Sequence, residues 1–121
     1  MKRREKPHHR LKCWRLAFEF VPFAYQLALN FPAHERFGLA SQLQRAATSV
    51  PLNIAEGAGR RTAKEFGAFL INARGSVSEL DTLLLAERLG YISEQQTDDA
   101  LSQLDHVSAL LQGLLNSLKT E

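Results

Sequence analysis

Apolar residues recur along the chain at intervals of three and four, the spacing of helices that each bury one face. The first stripe runs Leu11, Trp14, Phe18, Val21, Tyr25 and Ala28, and predicts a helix closed at Phe31-Pro32, because a residue before proline is pushed out of the helical region. Pro22 lies inside this helix, where it removes one backbone hydrogen bond and kinks a pattern that continues beyond it. A second helix begins near Glu35 or Phe37, follows Leu39, Leu43, Ala46, Ala47, Val50 and Ile54, and finishes at Gly57 and Gly59. Pro51 either kinks that helix or divides it in two, and the kink is the preferred reading. Thr62-Ala-Lys-Glu65 has the form of a capping box. The third helix that it opens carries Phe66, Phe69, Leu70, Ala73, Val77, Leu80 and Leu84 as far as Leu89, with a left-handed stop at Gly90. Ser93-Glu-Gln-Gln96 repeats the cap, and Leu101, Leu104, Leu111, Leu115 and Leu118, widened by Val107 and Leu114, make a fourth helix.

No run alternates with period two between turn signals, so no strand is predicted. Four helices of roughly 20 to 28 residues with short connections make an all-α fold, an antiparallel up-down-up-down four-helix bundle. The bundle is expected over residues 11–119, behind a basic, flexible arm over residues 1–10. Phe20, Phe23, Leu27 and Phe31 lie off the primary stripe of the first helix and need cover, which predicts an interface with a second copy through them.

The 121 residues suit one domain, and 45% apolar with 23% charged residues is the composition of a folded protein rather than a disordered one. The single cysteine, Cys13, cannot form an intrachain disulfide, so a cytoplasmic location is expected. Lys2, Arg3 and Arg4 precede an apolar stretch, but Glu19 and Gln26 interrupt it, so neither an export signal nor a membrane span is predicted.

Charge changes the picture more. Residues 1–75 hold thirteen Lys/Arg against five Asp/Glu, and residues 76–121 hold two against eight, so the halves carry +8 and −6. Such asymmetry points to a basic surface for a polyanion or to complementary faces that meet between copies. Lys2, Arg3, Arg4 and Arg10 in the arm, with Arg60, Arg61 and Lys64 at the second turn, are the candidate nucleic-acid contacts. Arginine outnumbers lysine ten to five, and its planar fork suits phosphate. Aromatic residues are not expected to interleave with these cations, so phosphate binding is predicted without base stacking.

Catalytic and metal motifs fail on spacing. Asn53, Glu56 and Arg60 share a helical face, but no second group for a substrate accompanies them. They read as structural polar groups together with Arg74 and Glu79: Glu56 pairs with Arg60 or Arg74, and Asn53 bonds backbone loosened by Pro51. The Glu-x-x-His pairs of di-iron bundles are missing. His9 and Cys13, four apart, make only two ligands, so no metal or cofactor is expected. Ser49 lacks the partners of a nucleophile motif, and Gly57-Ala-Gly59-Arg-Arg lacks those of a phosphate loop. Gly75-Ser76 is read as a close helix crossing.

Several blocks in order carry a resemblance: Phe31-Pro-Ala-His-Glu35-Arg-Phe-Gly-Leu39; Gln42-Leu-Gln-Arg-Ala-Ala47-x-Ser49-Val-Pro51-x-Asn53-Ile-Ala-Glu56-Gly57-x-Gly59-Arg60; Ala73-Arg-Gly75-Ser76-x-x-Glu79-Leu80; and Leu89-Gly-Tyr-Ile92. From about Trp14 to Ile92 the chain resembles the bacterial ribosomal RNA intervening-sequence proteins. That family is similar in fold to the accessory variability proteins of diversity-generating retroelements, ring-shaped homopentamers that bind nucleic acid beside a reverse transcriptase. The resemblance implies a bundle in a homo-oligomer, a pentamer, and does not imply an enzyme; RNA or a nucleoprotein as partner is expected from the cations. The competing class is a protein-interaction scaffold with no nucleic-acid role.

Overall fold

Helix stripes decide which faces meet, and the contacts between them give each helix its direction. A computed structural model describes residues 4–119. A 3-10 turn over Pro7–Arg10 leads into α1 (Lys12–Ala28), and a second over Ala33–Glu35 precedes α2 (Leu39–Ala58). Then come α3 (Ala63–Glu79), the short α4 (Thr82–Arg88) and α5 (Glu94–Leu118), with no strand among the described residues.

Between α1 and α2, Pro22 and Thr48 line one groove and Ala28 and Ala40 another, so the two helices run in opposite directions. Between α2 and α3, Gly57 lies against Phe66 and Phe69, and Ser49 meets Ser76. Between α3 and α5, Gly67 lies against Leu115 and Leu118, and Arg74 meets Gln112. α1 also packs on α5 and closes the cycle. The fold is the expected antiparallel four-helix bundle. Its core holds Phe20, Leu43, Ile54, Leu70, Leu80, Leu83, Val107 and Leu111, all fully buried.

The local signals act largely as their chemistry requires. α1 and α2 each continue through their proline. The Thr62 hydroxyl accepts from the Glu65 amide at 3.1 Å. Ser93 and Gln96 form the full reciprocal cap, at 2.8 and 3.0 Å. Gly90, at φ +82°, takes the left-handed turn that L side chains resist. Gly57 is needed for close approach, since a Cβ there would sit 2.8 Å from the Phe69 Cβ.

Other expectations are corrected. The buried stripe of α1 is Cys13, Ala17, Phe20, Ala24, Leu27 and Ala28, with Phe31 beyond the helix end, while Phe18 and Tyr25 of the expected stripe are exposed. The helix is turned by one residue, about 100°. Phe20, Leu27 and Phe31, expected at a subunit interface, are therefore buried in the protomer itself at 2%, 3% and 8% exposure. Phe23 is half-buried against the same core, with its ring 5.7 Å from that of Phe20.

The third helix does not run to Leu89. Around Leu80 and Asp81 the backbone tightens into i→i−3 bonds, among them Leu80 to Val77 and Leu83 to Leu80, both at 3.0 Å. Steps of three then bury Leu83 and Ala86 and leave Leu84 outside. α2 begins at Leu39, later than expected, because Ala33–Glu35 forms its own 3-10 turn. Of the Gly75-Ser76 pair, Ser76 makes the close helix contact, its hydroxyl meeting that of Ser49 at 2.7 Å, whereas Gly75 faces open space and plays no part in it. At the N-terminus, folded structure begins at Pro7 rather than at Leu11, and this turn packs on both α1 and α2.

Candidate nucleic-acid interface

Antiparallel packing converts the charge asymmetry of the chain into one along the bundle. The Pro7–Arg10 turn lies beside the C-terminal part of α2, with His8 and Ala55 lining a common groove. Arg10, Lys12 and Arg15 therefore share an end with the α2–α3 turn, which carries Arg60, Arg61 and Lys64. Lys64 also lines a depression with Lys119 at the end of α5. The opposite end holds Glu79, Asp81, Glu87, Glu94, Asp98 and Asp99, with Arg36 and Arg88 among them.

Of the candidate contacts, Arg4, Arg10, Arg60, Arg61 and Lys64 are all exposed, whereas Lys2 and Arg3 lie outside the described residues. Arg10 reaches Glu5 only at 3.8 Å, and Arg60 pairs with Glu56 on the next turn of chain while its guanidinium lies over the Phe69 ring at 4.7 Å. Such exposed pairs contribute about 0–1 kcal/mol, so either arginine can be drawn to a phosphate at little cost. Lys12, Arg15, Arg61 and Lys64 have no carboxylate within ion-pair distance among the described residues.

Aromatic rings stand among these cations, which corrects the expectation that none would. His8 and His9 lie edge-on to each other at 4.4 Å and 4.9 and 5.0 Å from the Trp14 ring; Trp14 in turn stacks on Phe18 at 4.7 Å and 20°. The signal was available in the chain, where His8, His9 and Trp14 alternate with Lys6, Arg10, Lys12 and Arg15. His8, Trp14 and Phe18 line an apolar groove of about 550 Å³ between α1 and α2, walled on the other side by Pro51 and Leu52. Burial, reinforced by the neighbouring His9 and Lys6, lowers the His8 pKa below the usual histidine value and favours its neutral ring.

The polar residues of the central blocks serve the fold. Ser49 and Ser76 hydroxyls meet at 2.7 Å across the α2–α3 seam, and the Asn53 amide donates to the Ser49 oxygen atoms Oγ at 3.0 Å and O at 2.9 Å. The carbonyl deprived of its donor by Pro51 is that of Ala47, four residues earlier, so Asn53 supports a different group from the one expected. Glu56 pairs with Arg60, not with Arg74, whose Nη1 instead donates to Gln112 Oε1 at 2.9 Å. Glu79 is exposed beside Gln42, Arg45 and Thr82.

A second polar cluster had no sequence signal. Glu35 Oε1 accepts from the Leu39 amide at 3.0 Å, capping α2, and Oε2 accepts from the Tyr91 hydroxyl at 2.9 Å. The Leu39 amide, then Tyr91 and the adjacent His34, hold the Glu35 carboxyl below its ordinary pKa against the opposing effect of desolvation. Tyr91 is raised correspondingly, chiefly by that hydrogen bond. Its ring also lies 5.4 Å from Phe31, so the α1–α2 and α4–α5 connections are tied together. Cys13 is buried, and desolvation raises its thiol pKa. Among the described residues no three His, Cys, Asp or Glu side chains gather as metal ligands, and no helix is long and apolar enough to cross a membrane.

The family model of the 23S rRNA-intervening sequence protein matches residues 9–113, from the end of the N-terminal turn through most of α5. The chain belongs to this family. Among solved structures it is similar to a protein of unknown function from the S23 ribosomal protein family of Bacteroides thetaiotaomicron VPI-5482. The two align with a TM-score of 0.77 and 22% identity over 85% of this chain and 97% of the other, a likeness of fold. No curated protein matches the sequence. For this intervening-sequence family member, the blocks that carry the resemblance meet in space: residues 31–39 join 89–92 through Glu35 and Tyr91, and residues 42–60 join 73–80 through Ser49 and Ser76.

Proposed function

We propose that the protein is a non-enzymatic RNA-binding module of the cytoplasm that grips phosphates with the basic end of its bundle. The carrying observation is that folding brings the cations of residues 10–15 and of residues 60–64 to one end and sets most of the acidic groups at the other. Clustered guanidinium and ammonium groups release counterions from a nucleic-acid backbone, so affinity falls steeply with salt. The family description refers to 23S rRNA, which makes RNA the polyanion to test first.

Titration of labelled RNA at two salt concentrations tests the reading. Binding at low salt should weaken as salt rises, and the double variant Arg61→Glu/Lys64→Glu should lose affinity and flatten the slope of log K against log salt by about 0.7 per lost contact on single strands. Affinity that ignores both salt and the charge reversal overturns it.

Self-association is part of the proposal, as a homo-oligomer of five copies, but not through the buried Phe20, Leu27 and Phe31. Leu84, Leu85 and Leu89, each about half exposed along α4, favour a different contact and equally support the second reading, a scaffold for protein partners. Light scattering distinguishes five copies from one. Loss of the assembly in Leu85→Glu, with the fold intact by circular dichroism, would assign this surface.

A further inference from the structure

Two observations are left over when phosphate gripping is accounted for: an open apolar groove that starts at the basic end and runs between α1 and α2, and a stack of aromatic rings close in the chain to Lys6, Arg10, Lys12 and Arg15. Phosphates need neither. Phe18 is 56% exposed and Leu52 67%, so the groove between them lacks cover within the protomer. Its surface is almost wholly apolar, formed mainly by Trp14, Phe18, Val21, Pro22, Pro51 and Leu52, with Glu19 the one charged side chain on its lining. Both helix-interior prolines line it.

We propose that this groove is a stacking site for the unpaired bases of single-stranded RNA, with the surrounding cations holding the phosphates on either side. The inference rests on the RNA-binding reading and names its ligand class. A base is planar and apolar on its faces, and every base can stack on an aromatic ring, so such a site tolerates sequence and excludes paired strands, whose bases are already stacked. Trp14 and Phe18 stack on each other near parallel, at 20°, and both line the groove, so a base can add to the open side of the stack. His8 and His9 continue the aromatic surface toward the Pro7–Arg10 turn. Lys6, Arg10, Lys12 and Arg15 flank these rings in the chain, and the arginines of the α2–α3 turn lie at the same end. A strand whose base enters the groove at its Trp14 end would bring the adjoining phosphates toward these cations. An apolar partner helix would leave the cations beside the Trp14 end unpaired, whereas phosphates flanking a stacked base would meet them, so charge complementarity at that end favours the nucleic acid.

Trp14 is the only tryptophan of the chain and reports on its own site. A single-stranded oligoribonucleotide should quench its emission on binding, because a base stacked on or beside the indole deactivates the excited ring. An RNA duplex or inorganic polyphosphate should bind in a salt-dependent way and leave the emission nearly unchanged. Phe18→Ala, at an exposed position, should keep the fold and weaken single-strand binding roughly tenfold, within the range of one base–ring stack, while polyphosphate binding stays as it was. Trp14→Phe keeps an aromatic platform and should retain most of the affinity that Trp14→Ala loses. If single strands and duplexes bind alike, Trp14 emission does not respond and Phe18→Ala binds as tightly as the parent, the stacking site is refuted while salt-dependent phosphate binding stands. If emission changes with protein concentration alone and RNA does not alter it, the groove belongs to a second copy and the proposal is likewise overturned. Absence of any salt-dependent RNA binding removes the broader reading instead.

Discussion

The inner and outer faces of α1 are both apolar, yet they differ in the size of what they present. The inner face is lined by Ala17, Ala24 and Ala28, interrupted by Phe20 and Leu27; the outer face carries Trp14, Phe18, Val21 and Tyr25. Small side chains win the core here because α1 must approach α2 and α5 together, and helices at 8–10 Å separation leave room for only occasional large residues. α2 answers with Ala40, Ala46 and Ala47, all buried. Hydrophobicity alone cannot choose between stripes one residue apart, whereas the space between neighbouring helices can. The larger rings are then left at the surface, where they become available to a ligand.

The sharpest way to break this comparison is to remove the one large ring on the inner face. Phe20→Ala should destabilise the bundle by about 3–5 kcal/mol in urea denaturation, the cost of emptying a site filled by a fully buried aromatic side chain. A loss below 1 kcal/mol would mean that α1 is turned the other way. Ala24→Leu probes the small positions of the same face. Ala24 has no exposed surface, so the added carbons force neighbours apart and should cost about 1–3 kcal/mol despite the gain in apolar volume. Equal or greater stability would show that the seam is loose rather than closely packed.

These cases also explain what the amino-acid order discloses and what it conceals. α2 is legible because its apolar residues gather on one face, where Leu39, Leu43, Ala46, Ala47, Val50 and Ile54 are all buried, with Leu52 its one large apolar residue left exposed. Ser93, Thr62 and Gly90 are legible because caps and left-handed stops are decided by chemistry within a few residues. The Glu56–Arg60 pair follows from i,i+4 spacing for the same reason. The tightening at Leu80–Asp81 leaves no mark in a stripe assumed to have constant period. Tyr91 and Glu35 stand 56 residues apart, so only the folded bundle joins them. Among the site residues, the cations are evident from composition, but their aromatic neighbours are hidden once Trp14 and Phe18 are assigned to the core.

Where the inner face of α1 ends, Phe31 packs against Tyr91, and Glu35 fixes that tyrosine to the start of α2. Because the carboxyl pKa is lowered on folding from its ordinary 4.5, the ionised form stabilises the native state. That contribution is complete above pH 4.5 and declines as the pH falls through the lower, folded value. Glu35→Gln keeps the shape and one acceptor oxygen, enough for the Leu39 amide, but replaces the other oxygen with an NH2 donor and removes the charge. Its thermal stability should fall below that of the parent at neutral pH, and the two should converge as the pH falls through the lowered folded value of the carboxyl. A constant difference across that range would deny the carboxylate its part in joining the two connections.

The smallest effect on stability is expected on the outer face, and it is the most informative because it separates packing from binding. Phe18 is 56% exposed and its principal ring contact is Trp14, so Phe18→Ala should change unfolding free energy by only about 1 kcal/mol, the scale of one exposed ring stack. If the ring were a core residue, as a stripe through Trp14, Phe18 and Tyr25 requires, the same substitution would cost about 3–5 kcal/mol. Urea denaturation of Phe18→Ala beside Phe20→Ala therefore measures the rotation of α1 directly. A small loss at position 18 with a large one at 20 leaves the aromatic outer face free to serve RNA, since a side chain that contributes little to folding can be shaped by what it binds.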